Sequence, residues 1–343
     1  MRVFALCITG LAALAILAGA DDRKAAPPAI RVPLGLLPIP WPSDNPYSAD
    51  KVELGRLLFF DPRLSKDDTV SCASCHSPEH AFTDGEANSK GMGGQRGNRS
   101  APTTLNRAYS LAQFWDGRAS SLEDQAKGPM ANPIEMGHSH AGVVNKLNMI
   151  VGYRTRFEKV FGEPEVTIDA VAQAIATFER TLLSGNSPYD RYKAGQKAAL
   201  TPAQIRGLDV FVNKAKCDQC HEGINFTSNS YHNLGVGMAA DNAKANPDPG
   251  RFEVTKDPKD FGAFKTPTLR DVARTAPYMH DGSLKTLEEV VEFYDKGGTP
   301  NKNLDEKVKP LKLTEQDKKD LVSFLKALNG EGWQSVTAPK SFP

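Results

Sequence analysis

The sequence predicts a mainly α-helical chain made of two related units. Apolar residues recur at helical spacing in four segments, whereas the alternation typical of strands is scarce. The motif CxxCH occurs twice, at 72–76 and 217–221. Each motif is followed by a copy of one further segment, because residues 101–129 align without gaps with residues 266–294. A length of 343 residues suits two domains of ordinary size.

Four helices are predicted from apolar spacing and from residues that cap helix starts. They are expected from Ser48 to Phe60, from Thr167 to Leu183, from Thr201-Pro202 toward Cys217, and from Thr314 to just before Gly330. A threonine followed by proline is typical of an N-cap and first helical residue. The stretch 242–260 contains three prolines and is predicted to be a loop.

The N-terminus has the pattern of a secretory signal peptide. An apolar run follows Arg2 and ends in small residues, so residues 1–20 are predicted to be cleaved off before Asp21. An uncleaved membrane anchor is the alternative. Residues 21–47 are rich in proline and are expected to form an extended arm that either wraps the surface or stays loose. No second long apolar run follows, which predicts no membrane span after cleavage.

The two CxxCH motifs predict two covalently attached c-type haems. In this motif both thiols bond to the porphyrin and the adjoining histidine binds the iron. The haem-binding residues are then Cys72, Cys75 and His76 in the first copy, and Cys217, Cys220 and His221 in the second. A structural zinc site or chance is the alternative. The fifth cysteine, Cys7, lies in the signal peptide, so no disulfide is expected in the mature chain. Bacterial c-type haems are attached outside the cytoplasm, which agrees with export.

The gap-free alignment predicts that the two haems differ. It contains seven identities at a constant offset of 165, and these fall on turn and cap residues. Trp115 lies opposite His280, and Pro129 lies opposite Tyr294. If the second copy places an iron ligand at this last position, the first cannot, because proline has no side-chain donor. One haem would then be open and the other closed.

The overall charge gives no sign of a strongly charged partner. Without the leader the chain holds 41 basic and 41 acidic residues, since the leader contains Arg2 and no acid. A balanced chain of this kind does not indicate nucleic-acid binding.

Several ordered motifs resemble those of the bacterial dihaem cytochrome c peroxidase superfamily. They are the CxxCH pair, AQFWDGR at 112–118, QAKGP at 125–129, Glu135-Met136, TPTLR at 266–270 and APYMHDG at 276–282. The resemblance spans about 54–328 and implies two cytochrome c-like haem domains related by internal duplication. The peroxidatic haem domain would occupy 48–190 and the second, electron-transfer domain 191–343.

The resemblance implies roles for three residues near the first haem. Glu135 would be the acid/base that moves a proton between the peroxide oxygens, and Gln125 would line the same pocket. Trp115 would lie between the haems as a route for electrons or holes. A surface acid, a helix-surface glutamine and a core tryptophan are the respective alternatives.

Tyr294 is the expected distal ligand of the second haem by family position. Ordinary members carry methionine there, whereas tyrosine resembles the dihaem enzymes that mature the quinone cofactor of methylamine dehydrogenase. Met279, Met238 and His280 are competing ligands. A phenolate favours higher iron oxidation states and a thioether favours the ferrous state. Tyrosine ligation would therefore suit a haem that shares oxidising equivalents, with both irons as Fe(IV).

Two further positions depart from the family pattern. Many members place a removable distal histidine where this chain has Met92, in a glycine-rich loop, so the first haem is expected to be open without reductive activation. Calcium is a candidate cofactor, with Thr275 and Pro277 matching carbonyl ligands, but Ser100 replaces the expected asparagine.

Four histidines receive no family role and are expected at the surface or at a haem edge: His80, His138, His140 and His232.

The resulting expectation is a periplasmic enzyme that reduces hydrogen peroxide with electrons from a small periplasmic donor protein. One alternative is an oxidase that modifies side chains of a partner protein, as in quinone-cofactor maturation. The other is a non-enzymatic electron carrier with two closed haems. A monomer or homodimer is expected, and no nucleic acid.

Overall fold

Helices dominate the described part of the chain, which is residues 30–238 and 247–343 of a computed structural model. One sheet of two short antiparallel strands is the other regular element there, and it pairs Tyr231 with Lys265. The helices are α1 (Ala49–Phe60), α2 (Cys72–Cys75), α3 (Leu122–Ala131), α4 (His140–Met149), α5 (Val151–Phe161), α6 (Ile168–Glu179), α7 (Pro188–Lys193), α8 (Pro202–Asp209), α9 (Phe252–Thr255), α10 (Leu287–Asp295) and α11 (Glu315–Lys326), and the strands are β1 (Tyr231–Asn233) and β2 (Ala263–Lys265).

The four predicted helices correspond to α1, α6, α8 and α11. Each begins directly after the expected cap residue, whose side-chain oxygen accepts a backbone N–H of the first turn. The α8 helix continues through a π-helical turn, Val210–Lys214, toward the second CxxCH motif. The α6 helix ends at Glu179, before the predicted Leu183. The chain turns there because the Leu182 carbonyl accepts the Asn106 N–H at 2.8 Å.

The predicted loop at 242–260 is only partly correct. Residues 239–246 lie outside the described residues, but α9 follows at Phe252–Thr255. Tertiary contacts hold this helical turn in a proline-rich segment. The Arg251 side chain donates to the Asp116 carbonyl at 2.8 Å, and the Phe252 ring packs on Phe261 with centroids 5.9 Å apart.

The proline-rich arm lies against the rest of the chain from residue 31 onward. The Leu34 carbonyl accepts the Asn186 N–H at 2.7 Å, and the Leu37 carbonyl accepts the Tyr109 hydroxyl at 2.7 Å. Asn45 is buried and donates to Glu123 at 2.6 Å. Of the two expected behaviours, wrapping is the one seen over 31–47. The predicted signal peptide and residues 21–29 lie outside the described residues.

Residues 31–343 form one compact unit with two hydrophobic cores. The first core is centred on α1, α5 and α6, and Trp333 near the C-terminus also packs into it. The second core is built from α8, α10 and α11 with the intervening segments. No helix among the described residues is both long and apolar enough to cross a membrane.

Each core contains one close helix pair with a glycine at its contact. A β-carbon on Gly55 of α1 would lie 1.9 Å from the Ala174 carbonyl oxygen of α6. A β-carbon on Gly207 of α8 would lie 1.9 Å from the Asp320 carbonyl oxygen of α11. Glycine is therefore required at both contacts, because any side chain would push the helices apart.

The two aligned segments have the same local backbone geometry. Asn106 and Asp271, which are 165 positions apart, are both left-handed, with φ of 58° and 57°. A β-bridge joins 113 to 119 in the first copy and 278 to 284 in the second. The equivalent helices α3 and α10 then begin after Ser121 and Thr286, which cap them in the same way.

A reciprocal pair of hydrogen bonds joins these segments to each other. The Ser100 N–H donates to the His280 carbonyl at 2.7 Å, and the Lys265 N–H donates to the Trp115 carbonyl at 2.7 Å. Residues 100 and 265 directly precede the two aligned segments at the same offset of 165, and residues 115 and 280 are equivalent within them. The two bonds are thus related by a local pseudo-two-fold arrangement, as in an isologous contact.

Substituting either contact glycine is expected to destabilise the protein. Gly55→Ala and Gly207→Ala should each lower the free energy of unfolding by about 1–3 kcal/mol, because the clash with backbone outweighs the gain in helix propensity. Thermal unfolding of the haem-loaded protein measures the effect. Gly97→Ala is the control, since no atom lies within 4 Å of a β-carbon there. Equal melting temperatures for all three variants would contradict the prediction.

Candidate haem sites

The first CxxCH motif forms a single helical turn that presents its histidine. The turn is α2, and the Ser71 N–H at its start donates to the Ser74 hydroxyl at 3.0 Å. His76 follows directly, with Nδ1 lying 3.2 Å from the Phe82 carbonyl oxygen. A carbonyl can only accept, so Nδ1 carries the proton and Nε2 keeps a lone pair for a metal. Burial also lowers the pKa of His76, which keeps the ring neutral.

The second motif repeats this arrangement with a tighter turn. Cys217–Gln219 is a 3-10 turn that follows Lys216, which is left-handed at φ 51°. His221 Nδ1 lies 3.0 Å from the Phe226 carbonyl oxygen. Burial lowers the pKa of His221 to about 4, so its Nε2 is also available as a neutral ligand.

Each motif places two thiols beside one histidine. Burial raises the pKa of the Cys75 thiol to about 11 and that of Cys217 to about 12. Zinc requires thiolates, whereas a thioether sulfur is uncharged and tolerates an apolar site. The described residues contain no group of three or more His, Cys, Asp or Glu placed to hold a metal ion together. Each cysteine pair instead has one histidine beside it, which fits haem.

A cavity of about 360 Å³ lies at the second motif. Cys217, Cys220 and His221 line it, and Tyr294 of α10 lines it as well. The same cavity extends toward the first half of the chain, where Trp115 contributes to its wall. Its lining is mainly apolar, as a porphyrin requires.

Tyr294 and Pro129 occupy the same place in the two equivalent helices. Each is the eighth residue of its helix, α10 and α3. The Tyr294 hydroxyl has no hydrogen-bond partner within the described residues, although the ring is enclosed in the cavity wall. Burial raises the pKa of this phenol. A phenol that lines the cavity and whose hydroxyl has no protein partner is available as a metal ligand.

The competing ligands lie in different surroundings. Met279 lines the cavity with a left-handed backbone at φ 72°. His280 is buried and stacks on Phe264 with centroids 3.6 Å apart, and burial lowers its pKa to about 4. The Met238 sulfur lies 3.8 Å from the Asn233 amide nitrogen.

Glu135 is a partly buried carboxylate near the first motif. It accepts a hydrogen bond from the Asn132 side chain at 2.7 Å. Burial raises its pKa, while that bond and the Arg118 charge oppose the shift. Its charge also contributes to the raised pKa of the Cys72 and Cys75 thiols, as expected if it lies near them.

Gln125 lies one turn before Pro129 on α3. Residues four apart share a helix face, so both face the same way. The Gln125 side chain makes no hydrogen bond within the described residues, which leaves its amide free for a ligand. Its counterpart in the second half is Val290, which lines the cavity.

The glycine-rich loop is fastened to the backbone that carries Glu135. The Met92 N–H donates to the Glu135 carbonyl at 2.8 Å. A β-carbon on Gly91 would lie 1.9 Å from the Ile134 carbonyl oxygen, so only glycine permits this approach. The Met92 side chain packs against the first core and beside Gly137.

Trp115 lies in the junction between the two halves. Its Nε1–H donates to the Ser100 carbonyl at 2.9 Å, and both residues line the cavity of the second site. Thr275 and Pro277 line the same cavity. The three residues considered for calcium, Ser100, Thr275 and Pro277, are therefore brought to one cavity.

Several residues of the cavity were not predicted as functional. His232 Nδ1 lies 2.6 Å from a carboxylate oxygen of Asp305. The other ring nitrogen, Nε2, is buried without a partner among the described residues. Lys265 and Arg107 are buried cations in the wall, and burial lowers their pKa values to about 7 and about 10. The position of Lys265, directly before the second aligned segment, is visible in the sequence, but its burial is not.

The remaining histidines lie away from the cavity wall. His80 is exposed, His138 Nδ1 lies 3.4 Å from the Leu64 carbonyl, and His140 Nε2 lies 2.9 Å from the Lys127 carbonyl. Of the four histidines without a family role, only His232 lines the cavity of the second site.

Comparison with known proteins agrees with the two-site geometry. Residues 49–198 match the di-haem cytochrome c peroxidase family. The chain is 41% identical over 303 residues to the methylamine utilization protein MauG of Methylorubrum extorquens, covering 88% of this chain and 84% of that protein. It is 42% identical over 291 residues to the cytochrome c551 peroxidase of Nitrosomonas europaea, covering 84% and 82%. The fold is similar to the crystal structure of a MauG-like protein associated with microbial copper homeostasis, with a TM-score of 0.79, 35% identity and coverage of 91% and 97%. The chain therefore belongs to the di-haem cytochrome c peroxidase family, which implies two haem cofactors.

Proposed function

We propose that this protein is a periplasmic dihaem peroxidase that reduces hydrogen peroxide at the first haem. One observation supports the proposal most strongly. The eighth residue of α3 is Pro129, whereas the eighth residue of the matching helix α10 is Tyr294. A proline cannot ligate iron, so the first haem keeps one face free for peroxide. Close relatives are named cytochrome c peroxidases, which supports this reaction class.

The two haem domains are proposed to have arisen by internal duplication. The matched left-handed residues, bridges and helix caps at an offset of 165 support this origin, as do the glycine contacts in both cores. We place the boundary near residue 190, with the C-terminal tail from Trp333 returning to the first core. Covalent attachment through Cys72, Cys75, Cys217 and Cys220 follows from the motif chemistry and accords with export to the periplasm.

Haem bound at the first site supplies the redox chemistry that cleaves the peroxide bond. The chain supplies the proton movement: one peroxide oxygen must lose a proton and the other must gain one. Glu135 suits this role because burial raises its pKa above that of an exposed glutamate, which makes the carboxylate a better proton acceptor. Gln125, with a free amide on the same side as Pro129, is proposed to orient peroxide by hydrogen bonding.

The second haem is proposed to be closed by His221 and Tyr294. Both residues line one cavity, and the Tyr294 hydroxyl has no other partner in the described chain. A phenolate ligand stabilises oxidised iron, so this haem would share the oxidising equivalents produced at the first. Trp115, which lines the same cavity from the first half of the chain, is the proposed route between the two sites. Calcium at Ser100, Thr275 and Pro277 stays a prediction.

A second candidate function is oxidation of side chains on a partner protein. Two observations favour it: the chain is 41% identical to a MauG protein, and it carries tyrosine rather than methionine at 294. The two functions share the peroxide step and differ in what supplies the electrons. Turnover with a soluble electron donor and no protein oxidation would favour the peroxidase.

Replacing Glu135 by glutamine is expected to slow the reaction with peroxide by about 10²- to 10⁴-fold, because the amide cannot accept the proton. Stopped-flow absorbance after mixing with peroxide measures the rate constant. Glu158→Gln is the matched control, since Glu158 is exposed on α5. An unchanged rate in the Glu135→Gln protein, with intact haem spectra, would remove Glu135 from the mechanism.

The rate constant for the reaction with peroxide is expected to fall as the pH is lowered. The fall should begin at a higher pH than the one at which an exposed glutamate becomes protonated. Protonation of Glu135 removes the proton acceptor, and burial raises its pKa above that of an exposed glutamate. The measurement is the same rate constant across a pH series. The acidic limb should be absent in Glu135→Gln, and a limb that survives in this variant would point to another group.

Tyr294→Met is expected to raise the reduction potential of the second haem by on the order of 100 mV or more, because a thioether stabilises ferrous iron. Spectroelectrochemical titration measures the potential. Tyr294→Phe keeps the ring without the oxygen and should turn one low-spin EPR signal into a high-spin signal. Identical EPR spectra for wild type and Tyr294→Phe would show that another residue closes this haem.

A further inference from the structure

The opening of the second haem cavity is lined almost entirely by lysines. Five of the residues that line this cavity are exposed, and these mark where it meets solvent. Four of the five are lysines and the fifth is a glutamine: Lys214, Lys216, Gln219, Lys307 and Lys309.

Most of this positive charge is not neutralised within the described chain. Lys214 pairs with Asp317, but Lys216, Lys307 and Lys309 form no ion pair among the described residues. The one carboxylate in the cavity lining is Asp305, which already contacts His232 at 2.6 Å. The chain as a whole is close to neutral, with 42 basic and 41 acidic residues, so these lysines stand out by their position and not through the overall charge.

The three unpaired lysines are attached to backbone that is fixed around the second haem site. Lys216 directly precedes Cys217 and is held in a left-handed conformation. The Lys307 N–H donates to Asp305 at 2.9 Å. The backbone of Lys309 packs against Gly297, where an added β-carbon would lie 3.0 Å away. Their backbone therefore keeps a defined place relative to the site.

We infer that Lys216, Lys307 and Lys309 form the docking surface for an acidic redox protein, which delivers electrons to the second haem. This inference rests on the proposed peroxidase function. Reduction of hydrogen peroxide to two waters consumes two electrons and two protons, so two one-electron donors are oxidised per turnover. A rim of like charge steers a partner of opposite charge and orders its approach. The partner is thus a one-electron redox protein with an acidic face.

The test compares two triple charge reversals in the haem-loaded protein. Lys216→Glu, Lys307→Glu and Lys309→Glu change the rim, whereas Lys193→Glu, Lys319→Glu and Lys340→Glu make the same charge change at exposed lysines outside the cavity lining. The probes are one reduced c-type cytochrome of acidic isoelectric point and one of basic isoelectric point. Binding by calorimetry and peroxide-dependent oxidation by stopped flow are measured at low and high salt.

The rim variant is expected to bind the acidic cytochrome about 10- to 1,000-fold more weakly at low salt, with a smaller difference at high salt. Binding of the basic cytochrome should strengthen, and the control variant should bind both as wild type does. Equal effects of the two variants would overturn the inference. So would a changed spectrum or potential of the second haem in the rim variant, because the lysines would then hold the haem itself.

Turnover of wild type with peroxide and a small-molecule reductant distinguishes failure of the docking surface from failure of the peroxidase function. If wild type turns over normally with the small-molecule reductant but binds the acidic and the basic cytochrome equally at both salt concentrations, the docking surface alone is contradicted. Absence of turnover with every reductant contradicts the peroxidase function, whereas the calorimetric result still decides whether an acidic protein binds at the rim.

Discussion

The reciprocal hydrogen bonds between the two aligned segments are the constraint on which the site depends. Ser100 donates to the His280 carbonyl and Lys265 donates to the Trp115 carbonyl, so each half holds the other at the junction. Buried backbone bonds of this kind are costly to leave unmade, which fixes the register of the two segments. Trp115 and His280 are thereby brought to one cavity wall, although 165 residues separate them.

The two aligned segments have matching backbone geometry, so the differences between the two sites lie in the side chains at equivalent positions. At equivalent positions of α3 and α10 the first half has glutamine and proline, and the second has Val290 and Tyr294. The first pair offers a free amide and no ligand, which suits a small polar substrate. The second pair offers apolar surface and one phenol, which suits a closed metal. The proposed asymmetry would thus require few substitutions and no change of fold.

Sequence reasoning succeeded where local chemistry dominates. Cap residues such as Thr201 and Thr314 determine helix starts through bonds made within four residues, so α8 and α11 could be predicted. The gap-free alignment places the left-handed residues Asn106 and Asp271 opposite each other, and such positions constrain the backbone directly. The α9 turn was missed, since contacts from Arg251 and Phe252 to distant residues stabilise it against its prolines.

Long-range electrostatics was the part that the sequence could not reveal. A balanced composition hides the fact that the cavity wall contains two buried cations, Lys265 and Arg107, besides the lysines at its opening. Burial lowers the pKa values of Lys265 and Arg107, which means that their charged forms are disfavoured without a nearby anion. Haem carries two carboxylates, and anions of this kind would offset the charges of Lys265 and Arg107. The exposed lysines lie at the opening, where solvent already stabilises their charge, so they remain free to attract a partner. The buried cations of the cavity wall thus suit the cofactor, whereas the exposed lysines at the opening suit a protein partner.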